Sequence, residues 1–472
     1  MKTLTMKFGG TSVGSPEALT NVVKIVRETV EAGDRLVVVV SAMSGVTDML
    51  LNSVQMAAVG DKWEYTQLSR KMRDKHEEAI NRLMPATQAR EQIILEINKL
   101  LDQHLELCDA IHILGEVTPR VMDAVVSFGE RLSSRMIAAL LREQGVDARQ
   151  YDASDMLTTD ETYQNAQPIW EETEQNIRRV LLPALEQGTV PVITGFIGAT
   201  QAGVFTTLGR GGSDFSAAIF AANVDSDEFT VWTDVDGVMT TDPRIDKRAR
   251  VIPYISYQEV GELAFYGAKV LHPKTVQPIL SKRIPIRVRN TFNPDFEGTR
   301  IGEKAHASET VIKAVTSVRN TSMMIVSGKG MIGVPGIAGR TFLASAQAGA
   351  NILMISQSSS EQSFCFTVMD DRADAVRLAV EMELQAEIAR QNVDGVSILD
   401  DVVIVTVVGA GMRGTPGVAG RVFTVLGDAG VNVLAIAQGA SEYSISFSVA
   451  DYDLEKAVLA LHELALETVD AL

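Results

Sequence analysis

Lys7 closes the apolar stretch LTMKF and is followed at once by Gly9, Gly10, Thr11 and Ser12, with a helix-like segment beginning at Pro16. A strand handing over to a helix through such a loop sets an ammonium beside free backbone N–H groups at the positive end of a helix dipole. That combination binds phosphate. The glycines allow close backbone approach, and Lys7 reaches a transferring phosphoryl group as a point charge. The pattern is neither the P-loop nor the dinucleotide fingerprint, since GxxxxGK[ST] is absent and GxGxxG does not fit. A strand-edge lysine beside a structural turn is the plainer reading.

A second glycine loop, TTLGRGGSDFSAAIFAANV (206–224), sets Arg210, Ser213 and Asp214 directly before a small-residue helix. Ser213 and Asp214 suit an N-cap. Arg210, between glycines, suits a bidentate grip on a carboxylate or phosphate. Two anion-gripping loops imply two anionic substrates brought together. A third segment, VWTDVDGVMTTDPR (231–244), ends a strand at Thr233 and Asp234 and continues through turns to Arg244. Its aspartates lack the twelve-residue pattern of a calcium loop. They fit a nucleotide edge or magnesium-phosphate role, or, for Asp236 and Asp242, ordinary turn chemistry. His76-Glu77-Glu78 is no zinc motif because Ile80 stands where the second histidine is required. None of the six histidines has a triad context. A carboxylate nucleophile, with a pKa of about 4, needs no general base, and catalysis then reduces to positioning and charge neutralisation.

The elements that must position these residues alternate over the first 300. LTMKF, a helix from about Pro16 to Glu31 and RLVVVVSAM form a β–loop–α–β unit, with Pro16 fitting a first helical turn. Residues 50–145 carry apolar residues at three- and four-residue spacing and read as mostly helical. Strands follow at 189–196, 228–235 and 283–290, which predicts an α/β sandwich around a mainly parallel sheet. The last 150 residues contain a repeat: GMIGVPGIAGRTF at 330–342 recurs as GMRGTPGVAGRVF at 411–423. The first copy finishes with a strand at VSILDD, whereas the second runs out of chain after its helix. VIKAVTSV (311–318) supplies the missing strand, so the first copy is nested inside the second. A pair of βαββαβ modules, ferredoxin-like in form, is the expectation.

At 472 residues the chain has room for two to four domains, and 46% hydrophobic with 22% charged residues is ordinary for a globular protein. A net charge of −17 argues against nucleic acid. The longest apolar run near the amino terminus, LVVVV, is far too short to span a bilayer, and no signal-peptide stretch precedes the glycines. Cys108 and Cys365 fall in different domains, outside any CxxC pair. That excludes an evident disulfide or zinc framework and makes a reducing cytoplasm the default.

KFGGTSVG, SAMSGVTD, SFGERLSS, TTLGRGGSD, WTDVDGVMTTDPR and the paired C-terminal modules resemble the aspartate kinases of the amino acid kinase family, which carry tandem ACT domains. The resemblance covers nearly the whole chain. It implies an αβα kinase domain over 1–300, a linker and completing strand over 301–320, and ACT domains over 321–400 and 401–472. It implies transfer of the ATP γ-phosphate, with Mg2+, to the β-carboxylate of L-aspartate. On that resemblance Lys7, Arg210 and Asp214 are catalytic, and Ser41, Thr47, Glu130, Arg210 and Ser213 hold aspartate. Lys7, Phe8, Gly9, Gly10, Thr233, Asp234, Met239, Arg244, Lys269 and Val270 hold ATP, with Met239 standing where many relatives have Tyr. Glu130 fits as partner of the substrate ammonium; its plainer reading is a solvated first-turn residue. Ile355, Gln357 and Gln438 are implied effector contacts, for threonine first and lysine second, in modules that pair into a homodimer or homotetramer. No metal ligands, nucleic acid or membrane partner are expected, nor a fused homoserine dehydrogenase domain. A different amino acid kinase and a non-catalytic sensor are the rival readings.

Overall fold

The computed structural model describes residues 1–267, 271, 273–303, 310–358, 362–439 and 442–466. The chain divides into two compact units: Met1–Val238 with Pro253–Tyr257 and Val270–Lys304, and Met239–Ile252 with Gln258–Lys269 and Ala305–Leu472. Among the described residues no helix is long and apolar enough to cross a membrane.

In the first unit, β1 (Thr3–Phe8) leads through the glycine loop to α1 (Pro16–Glu31) and β2 (Arg35–Val40). Ser15 caps α1 by accepting the Ala18 N–H, and Pro16 occupies a position whose N–H has no helical partner. Five helices follow: α2 (Val46–Ala58), α3 (Lys62–Leu83), α4 (Gln88–Leu114), α5 (Pro119–Val126) and α6 (Phe128–Glu143). Then come β3 (Ala148–Tyr151), β4 (Thr158–Thr159), α7 (Trp170–Glu186), β5 (Val190–Thr194), β6 (Ile197–Thr200), β7 (Phe205–Thr207), α8 (Gly212–Asn223) and β8 (Glu228–Thr233). Last are β9 (Tyr254–Ser256), α10 (Pro273–Leu280), β10 (Ile286–Asn290) and β11 (Thr299–Gly302), while α9 (Tyr257–Phe265) belongs, after Tyr257, to the second unit.

The main sheet has the order β3-β5-β2-β1-β8-β10-β11-β9, parallel throughout except where β10 meets β11. Met6, Phe8, Leu36, Val38 and Val40 join one core with residues of α1–α6, including Leu19, Leu50, Ile97 and Ile137. Val37 and Val39 alternate to the other face and are also fully buried. Both faces are therefore covered, as a mainly parallel sheet requires. Phe8 pairs with Val40 and Trp232, and Val40 with Thr194, so the carboxyl ends of β1, β2, β5 and β8 finish level. In open α/β sheets that edge is where ligands bind. The strand read at 283–290 starts only at Ile286, because Arg283 has a left-handed backbone (φ 54°) and ends the preceding turn.

The second unit holds a six-stranded antiparallel sheet. Its elements are β12 (Ala314–Ser327), α11 (Ile337–Gln347), β13 (Met354–Gln357), β14 (Ser363–Met369), α12 (Asp370–Glu383), α13 (Gln385–Ala389), β15 (Gly395–Val408), α14 (Val418–Asp428), β16 (Ala435–Gln438), β17 (Ser444–Ala450) and α15 (Leu454–Leu466). The order β13-β14-β12-β15-β17-β16 realises the nesting read from the repeat. The far half of β12 pairs with β14 and its near half with the far half of β15, so each long strand serves both modules. Thr321 and Val402 are equivalent by the repeat and lie opposite one another. A local twofold axis passes between them. Three cores result, one around Phe366, Val376 and Val380, one around Phe447, Ala457 and Leu461, and a smaller one around Met323, Met354, Val402 and Ile404 that draws on both modules.

Candidate active site

Because Met6 and Phe8 enter the core, Lys7 projects from the opposite face of β1. Its Nζ lies 2.5 Å from Asp214 Oδ1 in the first turn of α8, with both side chains largely sheltered from water. The ammonium sits over the glycine loop, 3.6 Å from where a Cβ on Gly9 would stand. Gly9 N–H and Ser12 Oγ both donate to the Trp232 carbonyl, and Thr291 Oγ1 donates to Ser12 Oγ, pinning the loop to β8 and the end of β10. Among the described hydrogen bonds none uses the amides of Gly10, Thr11 or Ser12. The loop thus carries three backbone N–H groups without a described acceptor, close in sequence to the Lys7 ammonium. Phe8 is fully buried and stacked on Trp232, so it has only its backbone to offer.

Glu130 approaches from the helical side. It stands in the first turn of α6 but is only 4% exposed, so it is not the solvated residue that its helix position allows. Its Oε1 accepts the Ala42 N–H at 3.2 Å, and Oε2 is buried with no partner. Gly129 makes the approach feasible: a Cβ there would lie 2.7 Å from the Ala42 Cβ. Burial pushes the Glu130 carboxyl up to about 8, against the pull of the Ala42 N–H and the charge of Lys7. The unpartnered Oε2 leaves one acceptor position of Glu130 open.

Ser41 donates its N–H to the Phe8 carbonyl, and its own carbonyl accepts Ser133 Oγ. Thr47 is half-buried in the first turn of α2. Gly211, with φ 74°, is the N-cap of α8. Ser213 and Asp214 therefore sit inside the first turn rather than capping it, and Asp214 is spent on Lys7. Arg210 is exposed on the loop immediately before.

The segment after β8 is more self-contained than its sequence implies. Thr233 Oγ1 donates to Asp234, and Asp236 accepts the side-chain amides of Asn290 and Asn293. Met239 and Arg244 belong to the second unit. There Met239 bridges to Val251, and the exposed Arg244 guanidinium is closed in a fork on Asp242. Lys269 and Val270 lie outside the described residues. Ile355 is exposed on β13, and Gln357 and Gln438 are exposed at the ends of β13 and β16. Among the described residues no cluster of three or more His, Cys, Asp or Glu could hold a metal.

Two arrangements escaped the sequence reading. His462 lies between Asp246 (Nδ1 to Oδ2, 2.8 Å) and Thr240 (Nε2 to Oγ1, 2.8 Å) in the second unit, which is the hydrogen-bond order of a catalytic triad. Thr240 Oγ1 already accepts the Arg250 N–H, and His462 is fully buried. With no access for a substrate, it is a structural pin. The other is Asp123 on α5, a buried carboxylate whose partners come from distant parts of the chain. Neither carries a motif that would have marked it.

The amino acid kinase family model matches residues 2–290, and the ACT domain model matches 324–384 and 405–464. The chain is 37% identical over 462 residues to bifunctional aspartokinase/homoserine dehydrogenase 1, chloroplastic, of Arabidopsis thaliana, covering 97% of this chain and 50% of that protein. It thus spans about half the length of such curated relatives. E. coli aspartokinase III in complex with aspartate and ADP (R-state) superposes with a TM-score of 0.83 at 29% identity, covering 99% of this chain and 100% of that one. The same enzyme in complex with lysine and aspartate (T-state) gives 0.79 at 30% identity, covering 99% and 100%. With a phosphate-type loop under Lys7, a family model over more than half its length and paired ACT modules behind it, the chain belongs to the amino acid kinase family and, within it, to the aspartokinases.

Proposed function

We propose that this protein is an aspartate kinase, transferring the γ-phosphoryl group of ATP to the β-carboxylate of L-aspartate to give 4-phospho-L-aspartate, the first step towards lysine, threonine and methionine. The observation that carries it is the pairing, in one unit, of a sheltered Lys7–Asp214 ion pair over a glycine loop with the unpartnered buried oxygen of Glu130. One part suits a phosphoryl group and the other an ammonium.

The β-carboxylate of aspartate is ionised at neutral pH and attacks phosphorus directly, while ADP leaves. Lys7 neutralises charge building on the transferring group, and Asp214 holds that ammonium in place. Free amides of the loop receive phosphate oxygens. Glu130 takes the substrate ammonium, Arg210 its α-carboxylate, and Ser41, Thr47 and Ser213 border the amino acid. The adenine side falls to Thr233, Asp234, Met239, Arg244, Lys269 and Val270. Magnesium enters with the triphosphate as part of the substrate. We assign the ACT modules an amino-acid effector, with threonine favoured. Lysine is the competing assignment, given its presence in the T-state relative. The same reading makes the protein a cytoplasmic homodimer or homotetramer through those modules.

Trapping the acyl phosphate with hydroxylamine tests the reaction. Hydroxamate should form with ATP, magnesium and L-aspartate and not with glutamate. Hydroxamate from another amino acid points to a different kinase of the family, and none from any amino acid points to a sensor.

A further inference from the structure

Asp123 is 1% exposed and takes part in no ion pair among the described residues. Its Oδ2 accepts the backbone N–H groups of Gln164 and Thr207, each at 2.9 Å, and its Oδ1 accepts Thr207 Oγ1 at 2.8 Å. One side chain thus satisfies three polar groups at once, two backbone N–H groups on one oxygen and a hydroxyl on the other. Burial pushes the carboxyl upward and these three bonds pull it back. A buried polar group is costly to keep unless it is hydrogen-bonded, so what Asp123 holds is informative.

It holds the frame around Arg210. Gln164 has a left-handed backbone (φ 68°), sparsely populated for a residue with a side chain, and Asp123 grips its N–H. The Ala166 N–H donates to the Thr207 carbonyl, lacing the same two stretches together. Gly209 passes between them with φ 75°, and a Cβ there would lie 2.9 Å from the Gln164 carbonyl oxygen. Arg210 is the next residue. At its other end, α5 continues through Ser127 into α6, whose first turn presents Glu130.

We propose that Asp123 is a positioning residue that sets the span between the two grips on the amino-acid substrate, Glu130 for the ammonium and Arg210 for the carboxylate. An amino acid holds those two charges at a nearly fixed separation, so the site must hold its grips at a matching one. The proposal rests on the reading of this site as an aspartate site.

Asp123→Leu keeps the approximate size but removes every acceptor, leaving the Gln164 and Thr207 N–H groups without a partner. It should raise the KM for aspartate about 10- to 100-fold, the penalty of a grip misplaced by an ångström or so, while kcat and the KM for ATP stay within about threefold. Thr207→Val removes only the hydroxyl bond and should raise the aspartate KM about 3- to 10-fold. Circular-dichroism melts report whether each variant folds. If Asp123→Leu does not, Thr207→Val decides by the same split. Equal rises in both KM values, or a fall in kcat with both KM values unchanged, overturns the positioning role. Wild-type protein that makes no hydroxamate from aspartate overturns the underlying site reading instead.

Discussion

Lys7 and Glu130 are both sheltered, but Lys7 has its counter-charge in Asp214 and Glu130 has none. Their roles separate accordingly. On the proposed reading Lys7 acts on charge that develops during transfer, so Lys7→Ala should lower kcat by about 10²–10³ with an unchanged melting curve. A variant retaining most of its turnover would sink that role. On the same reading Glu130 acts on the bound substrate, and only as a carboxylate. With its pKa pushed up to about 8, it is mostly protonated in the free protein at pH 7. The KM for aspartate should therefore fall as pH rises towards 8 and level off above it, by at most about tenfold per pH unit, and Glu130→Gln should flatten the profile. The sign for stability is the reverse. Between the ordinary value of 4.5 and about 8 the folded state holds a proton that the unfolded state releases. This group's contribution is thus fully present below 4.5 and is lost as pH rises through 8. A pH-independent KM in the wild type would show that Glu130 does not meet the ammonium.

At the scale of elements, local signals were readable and distant ones were not. Helix α1 runs from Pro16 to Glu31 as expected because Ser15, Pro16 and the apolar spacing all lie within the segment itself. The nested modules were legible because a repeat carries its own register. Asp123 was not, since its partners lie 41 and 84 residues further along and an aspartate in a short helix reads as solvated. Arg244 shows a nearer tie that its loop setting does not announce, a guanidinium held by Asp242 two residues earlier. A further hidden tie lies in the second unit. Lys313 Nζ meets Glu259 Oε2 at 3.1 Å with almost no exposure on either side chain, and Glu259 Oε1 accepts the Ala410 N–H at 2.7 Å. One carboxylate thus fastens α9 to the segment before β12 and to the turn after β15. Glu259→Gln leaves the Lys313 ammonium buried and uncompensated, which costs about 3–5 kcal/mol. Urea titration followed by far-ultraviolet dichroism should show an earlier midpoint. An unmoved midpoint would mean that water or another partner takes over the lysine.

In the whole second unit, the two ACT modules are not beads on a string. β12 and β15 each run through both, and the twofold between Thr321 and Val402 makes Gln357 and Gln438 counterparts at the ends of the edge strands β13 and β16. Both ends are exposed and neutral, a match for a small hydroxyl amino acid that needs hydrogen bonds rather than a counter-charge. A ligand at either end can bias the shared sheet only if it binds one arrangement better than another. On that reading threonine inhibits, and Gln357→Ala or Gln438→Ala relieves inhibition without changing kcat in its absence. Because two strands are common to both modules, the double variant should show less than the sum of the single effects. Inhibition curves at saturating ATP and aspartate measure all three. If the wild-type enzyme ignores millimolar threonine but responds to lysine, the neutral glutamines are not the specificity determinants, and the sensing role passes to charged residues elsewhere in the same modules. If the single effects add without loss, the shared strands transmit nothing and each module senses alone.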